Sequence, residues 1–232
     1  MNSTLRVGRR TMAGVACPVW RGRGRTLTPS TPHPSMKDDL TLLVCIADRS
    51  GSMEAIRDDA IGGFNAFLDA QRAEPGEARL TFVQFDGQYE VLFDDMALAH
   101  VPPLTRETFV PRGATALFDA LGRTLDAVGE RLAATPEAER PAKVVVVVVT
   151  DGQENASRTY TREQVFARIT HQRSVYGWEF VFLAANQDAI AGAVALGMDA
   201  DDGVAFSLGS ALDVRESYAA MSRSTSDKRR RR

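Results

Sequence analysis

The chain is poor in the residues on which most active-site chemistry is built. It holds two cysteines in 232 residues, Cys17 and Cys45, so a disulfide framework is not supported. Its three histidines, His33, His100 and His171, have no metal-ligand spacing to one another, and no Cys/His cluster exists. Each reads as a surface residue. Neither Gly-x-x-x-x-Gly-Lys-Ser/Thr nor a strand followed by Gly-x-Gly-x-x-Gly occurs, which leaves nucleotide use unsupported. No apolar run approaches the roughly 20 residues that span a bilayer, and no internal repeat is present. A hydrophobic content of 44% with 25% charged residues is instead that of a soluble globular protein able to bury one sizeable core.

Charge is unevenly spread. The formal charge of −2 combines +6 over residues 1–36, +5 over residues 223–232 and −13 over residues 37–222. The basic first segment lacks helical or strand periodicity and reads as a disordered extension, residues 1–36. Arg9-Arg10 ahead of Thr11 to Trp20 fits a twin-arginine export leader, but Gly14 and Pro18 break the apolar stretch and Arg21, Arg23 and Arg25 follow it. An acid-free Arg-rich leader also fits an organelle transit peptide, and Met36 just before the first strand fits an alternative start. The expectation taken forward is a flexible extension on a cytoplasmic protein. Lys228 to Arg232 reads as a second disordered basic tail, residues 223–232.

Between the tails, strand and helix signals alternate, as in a βαβ-type parallel sheet. Leu40 to Ala47 is nearly all apolar and Val144 to Val149 is six consecutive valines, the mark of central strands covered on both faces. Arg79 to Phe85 and Gln88 to Phe93 flank Asp86-Gly87, a hairpin signal that predicts one antiparallel edge strand. Glu179 to Ala184 and Val204 to Ser207 complete six strands. Helices are expected over about 53–71, where Gly62-Gly63 weakens the helix locally and reads as room for close packing against the sheet, after Thr115, over 161–173 with a Thr161/Gln164 capping box, over 187–196, and after Ser210. Cys45 falls inside the first strand and reads as core. The fold class is therefore α/β: a doubly wound, mostly parallel six-stranded sheet with helices on both faces.

Three distant segments converge on one chemical purpose: Asp48-Arg49-Ser50-Gly51-Ser52-Met53, Gly113-Ala114-Thr115 and Thr150-Asp151-Gly152. The first and third stand where central strands stop, the edge at which open parallel sheets bind ligands. Asp48 and Asp151 would repel each other there, and a divalent ion relieves that repulsion. With the hydroxyls of Ser50, Ser52 and Thr115 they form a hard oxygen donor set suited to Mg²⁺, with Mn²⁺ or Ca²⁺ as substitutes. Helix capping accounts for Asp48 and Ser52 but leaves Thr115 and Asp151 unexplained. Met53 reads as core and Arg49 as a solvated rim or a partner contact. Gly152 reads as a turn residue, and Glu154 and Asn155 as site rim or exposed loop.

These segments resemble the von Willebrand factor A family, whose metal-ion-dependent adhesion site is written Asp-x-Ser-x-Ser, then Thr, then Asp. The resemblance covers roughly residues 38–222, so the domain is placed at 37–222. It implies a Rossmann-like fold in which Ser50, Ser52 and Thr115 bind the ion directly, with Asp48 and Asp151 partly through water. A Glu or Asp from a protein partner would complete the coordination. Stand-alone proteins of this kind act as subunits or adaptors of larger complexes, some beside AAA+ ATPases, and the expectation is a non-enzymatic binding module. A metal-assisted hydrolase or phosphotransferase using Asp48 is a second reading. It wants a carboxylic acid two residues on, where this chain has Ser50. A nucleic-acid-associated protein using its basic ends is a third, opposed by the −13 body.

Overall fold

The computed structural model describes residues 37–184, 196–198, 203–205 and 211–231. The basic extension over 1–36, and all but the last residue of the helix expected over 187–196, lie outside these residues. The described residues contain strands β1 (Lys37–Asp48), β2 (Glu77–Phe85), β3 (Tyr89–Ala97), β4 (Pro141–Thr150), β5 (Glu179–Ala184) and β6 (Gly203–Ala205). The helices are α1 (Arg57–Ala73), α2 (Leu117–Ala134), α3 (Arg162–Tyr176) and α4 (Ala211–Arg230). One sheet runs in the order β3-β2-β1-β4-β5-β6, and β2–β3 is its antiparallel pair.

The two apolar runs explain the layering. Side chains alternate across a strand, so Leu42, Val44 and Ile46 join Val144, Val146 and Val148 on the face covered by α2 and α3. Leu43, Cys45 and Ala47 join Val145, Val147 and Val149 on the face covered by α1 and α4. Burial pushes the Cys45 thiol well above its ordinary pKa, which makes it an inert core residue. In the parallel β1–β4 register Ala47 stands opposite Val149, so Asp48 and Thr150 leave the sheet side by side. That register creates the site. Thr161 and Gln164 form the expected reciprocal cap at the start of α3.

Three local expectations change. The close packing expected at Gly62-Gly63 is against a helix rather than the sheet and involves Gly63 alone, where a Cβ would lie 2.5 Å from the Tyr218 ring of α4. The β2–β3 hairpin forms, but Phe85 pairs with Tyr89 across a three-residue connection. Gly87 has no left-handed φ; the Asp86 carboxylate makes the turn by accepting the Gln88 N–H at 2.6 Å.

The third correction is larger. Residues 223–230 are not a disordered tail but the last two turns of α4. Lys228 and Arg229 are buried at 5% and 8% exposure. Arg229 Nη1 donates to the Gln71 carbonyl oxygen (2.6 Å), and Lys143 Nζ donates to the carbonyls of Lys228 (3.0 Å) and Arg229 (2.7 Å) at the helix end. Arg230 grips Glu74 through two hydrogen bonds of 2.8 and 2.7 Å. Cations at a helix C-terminus also complement its dipole. A solvated tail was expected from composition; acceptors on α1, just beyond it and on β5 turn it into an anchor. Arg229→Ala should therefore lower unfolding free energy by about 2 kcal/mol, as for a buried charged hydrogen bond. Arg231→Ala, at the exposed end, should change denaturant unfolding little. Equal, negligible effects from both would restore the solvated-tail description.

Candidate metal centre

Asp48 ends β1 with 0% exposure, and Ser50 (2%) and Thr115 (3%) are buried beside it. Ser52 is exposed and Asp151 half-buried, so the cluster opens to solvent on one side. Asp48 Oδ1 accepts the Ser50 N–H (2.6 Å) and its Oδ2 accepts the Thr150 hydroxyl (2.6 Å). Ser52 Oγ donates to Asp151 Oδ1 (2.8 Å), and Ser50 Oγ lies 3.0 Å from Ser52 Oγ. Four of the five expected residues are thus tied in a hydrogen-bonded string.

The fifth, Thr115, is located through Gly152. A Cβ built on that glycine would lie 3.0 Å from Thr115 Oγ1 and 3.8 Å from both Asp48 Oδ2 and Ser52 Oγ. Three of the candidate donors therefore surround one small space that a methyl group would fill. Gly152, expected only to serve a turn, keeps this space open.

The electrostatics match the geometry. Burial raises the Asp48 pKa to about 6 against its hydrogen bonds from Thr150 and Ser50, with a further push from the Asp151 charge. Burial also raises Asp151 above the ordinary carboxylate range. No Lys or Arg is among the causes of either shift. Two partly desolvated, uncompensated acids beside three hydroxyls fit a hard divalent cation. Among the described residues no three His, Cys, Asp or Glu side chains form a metal cluster, so an ion at this cluster would need hydroxyls among its donors.

Arg49 corrects the sequence expectation. It is neither a solvated rim nor a partner contact: at 4% exposure it lies under the β2–β3 turn. Its Nε donates to Asp86 Oδ2 (3.1 Å) and its Nη1 to Glu90 Oε2 (2.6 Å) and Gln84 Oε1 (3.2 Å). Asp86 also receives Arg112 Nε at 2.8 Å, so one carboxylate braces the loops that carry Ser50 and Thr115. Backbone bonds reinforce this, from Arg112 N–H to the Arg49 carbonyl (2.8 Å) and from Gly51 N–H to the Gly113 carbonyl (3.1 Å). Asp86 was read only as a turn residue. No short motif pairs it with Arg49 and Arg112, since the three lie on separate loops.

Glu154 and Asn155 also have defined places. Glu154 Oε2 accepts the Phe118 N–H (2.8 Å) at the start of α2, while its Oε1 accepts Ala156 N–H (2.8 Å) and Ser157 N–H (2.7 Å). Asn155 Oδ1 accepts the Thr115 N–H (2.9 Å), and the Asn155 N–H donates to the Thr115 carbonyl (3.0 Å). The position of Ala116, a poor capping residue at the α2 N-cap, was the sequence signal that an outside acceptor was needed.

Neither a family model nor a curated protein matches the chain. Solved structures do. Proximal thread matrix protein 1 from the mussel byssus superposes with a TM-score of 0.55 at 16% identity, over 82% of this chain and 47% of that one. A von Willebrand factor type A protein from Catenulispora acidiphila gives 0.52 at 18% identity, over 81% of this chain and 42% of that one. The vWF domain of the type V pili tip protein Mfa5 from Porphyromonas gingivalis gives 0.59 at 10% identity, covering 84% of this chain and 98% of that domain. The chain has the von Willebrand factor A fold. It spans less than half the length of the mussel and Catenulispora proteins. A further structure of the mussel protein carries a zinc-occupied MIDAS motif.

Proposed function

We propose that Asp48, Ser50, Ser52, Thr115 and Asp151 hold a Mg²⁺ ion as a metal-ion-dependent adhesion site, through which the protein binds an acidic side chain of a protein partner. The convergence of Thr115, Asp48 and Ser52 oxygens on the space beside Gly152 carries this reading. Bound there, a divalent ion supplies positive charge at the sheet edge that attracts an outside carboxylate. The chain's residues prepare that encounter. Three neutral hydroxyls and only two carboxylates leave a divalent charge incompletely quenched, and the exposed Ser52 and half-buried Asp151 leave one side open. The mussel neighbour's zinc-occupied motif supports a metal in this fold.

The same geometry argues against turnover. Asp48, the carboxylate that the hydrolase reading takes as nucleophile, is fully buried and held by Ser50 and Thr150. The residue two positions on is Ser50, which cannot serve as the acid/base. We read the protein as a binding subunit or adaptor; an AAA+ ATPase is one candidate class of partner.

Calorimetry should first show uptake of Mg²⁺ by the wild type and none by Asp151→Ala, with circular dichroism unchanged. Partner capture from the native host should then require Mg²⁺ and be lost in EDTA. Undiminished capture in chelator, or an ion taken up equally by Asp151→Ala, would sink the proposal.

A further inference from the structure

We infer that Asn155 is a positioning residue which fixes Thr115 relative to Asp151 and thereby sets the size of divalent ion that the site accepts. The inference rests on the metal reading above and extends it to a residue outside the five expected donors.

Thr115 lies just before α2, on a loop with no cap of its own: the Ala116 side chain has no acceptor to offer. The opening N–H groups of a helix need partners, and the segment after Asp151 supplies them. Phe118 N–H goes to Glu154 (2.8 Å) and Asp119 N–H to Ser157 Oγ (3.0 Å). Those two bonds hold the helix. The Asn155 pair is different, because it falls on Thr115 itself and engages both its backbone N–H and its carbonyl. With both groups held, the hydroxyl of Thr115 keeps little freedom beyond its side-chain rotation.

Asn155 follows Asp151 by four residues, so the clamp spans two segments that each carry a candidate donor. Mg²⁺ takes oxygen at 2.0–2.1 Å and Ca²⁺ at 2.3–2.6 Å, and rigidity decides between them. A clamp that stops Thr115 from drifting outward by a few tenths of an ångström therefore favours the smaller ion. Asn155 is exposed and acts through Thr115 rather than on the ion. Its Oδ1 alone is used, as an acceptor, so aspartate can replace it in this role.

The test is titration calorimetry of wild type, Asn155→Ala and Asn155→Asp with Mg²⁺ and separately with Ca²⁺, together with melting temperatures in EDTA. The alanine variant should lose about tenfold in Mg²⁺ affinity, the scale seen when a residue orienting a metal ligand is removed, and clearly less for Ca²⁺. Its metal-free melting temperature should stay near wild type. The aspartate variant should restore the wild-type ratio of Mg²⁺ to Ca²⁺ affinity. An unchanged ratio in Asn155→Ala overturns the inference, as does an equal loss for both ions with a lowered metal-free melting temperature. A wild type that takes up neither ion removes the metal reading itself, and this inference with it.

Discussion

Replacing Gly152 by alanine is expected to abolish divalent-ion binding while leaving the metal-free protein as stable as before or slightly more so. The new Cβ would stand 3.0 Å from Thr115 Oγ1, tighter than ordinary contact, and within 3.8 Å of Asp48 Oδ2 and Ser52 Oγ. Thr115 would have to yield, and the methyl would occupy space that an ion and its ligands need. A loss of affinity of about a hundredfold or more follows, roughly 3 kcal/mol. Gly152 has no left-handed φ, so alanine meets no backbone strain there. Removing a glycine restricts the unfolded chain and contributes about 0.4–1 kcal/mol of stability at a compatible position. The two effects have opposite signs, which separates damage to the site from damage to the fold. Calorimetry with Mg²⁺ and denaturant unfolding in EDTA measure them. Wild-type Mg²⁺ affinity in Gly152→Ala would show that the ion does not sit among these oxygens.

How much of this was legible in the sequence depends on whether a feature lies along one segment or between segments. The central strands were readable because an all-apolar run such as Val144 to Val149 has few other homes, and Asp48 and Asp151 because they stand where such runs stop. Adjacent placement of β1 and β4 then brought them together. The expected helices over 53–71 and 161–173 appear with shifted ends: the first begins as a tighter 3-10 turn, Gly51–Ile56, before α1. Features made by pairing were hidden. Arg49, Asp86 and Arg112 belong to three separate connecting segments, and nothing local in any of them announces their shared carboxylate. The basic C-terminal run misled for the same reason, since its composition is that of a solvated tail and its partners, Gln71, Glu74 and Glu179, lie on α1, just beyond it and on β5. Gly152 was seen as a turn residue because the need for empty space beside it exists only once Thr115 and Asp48 are in place.

Buried Asp48 should also make metal-free stability depend on pH in the direction opposite to that of a salt-bridged acid. Its folded-state pKa is raised to about 6, chiefly by burial, whereas an aspartate in an unfolded chain titrates near 3.9. Below about pH 4 the group is protonated in both states and imposes no cost. Between about pH 4 and 6 the folded state holds the proton more tightly than the unfolded chain, so stability falls as pH rises and levels off above 6. Two pH units correspond to roughly 3 kcal/mol. Other carboxylates slope the other way: arginines hold Glu74 and Asp58 below their ordinary values. The comparison must therefore be with Asp48→Asn, which keeps an acceptor oxygen and cannot ionise. In EDTA the stability advantage of Asp48→Asn over wild type should grow from pH 4 to pH 6 and then hold. Saturating Mg²⁺ should reverse that ordering at pH 7, because a ligand that binds only the folded, ionised site stabilises by mass action and Asp48→Asn has lost a charge that the ion requires. Guanidinium unfolding of both proteins across that range, with and without Mg²⁺, decides the matter. A difference that ignores pH would mean Asp48 is already ionised by a donor arrangement tighter than its two 2.6 Å hydrogen bonds provide. The ion would then meet a buried charge already compensated by those donors.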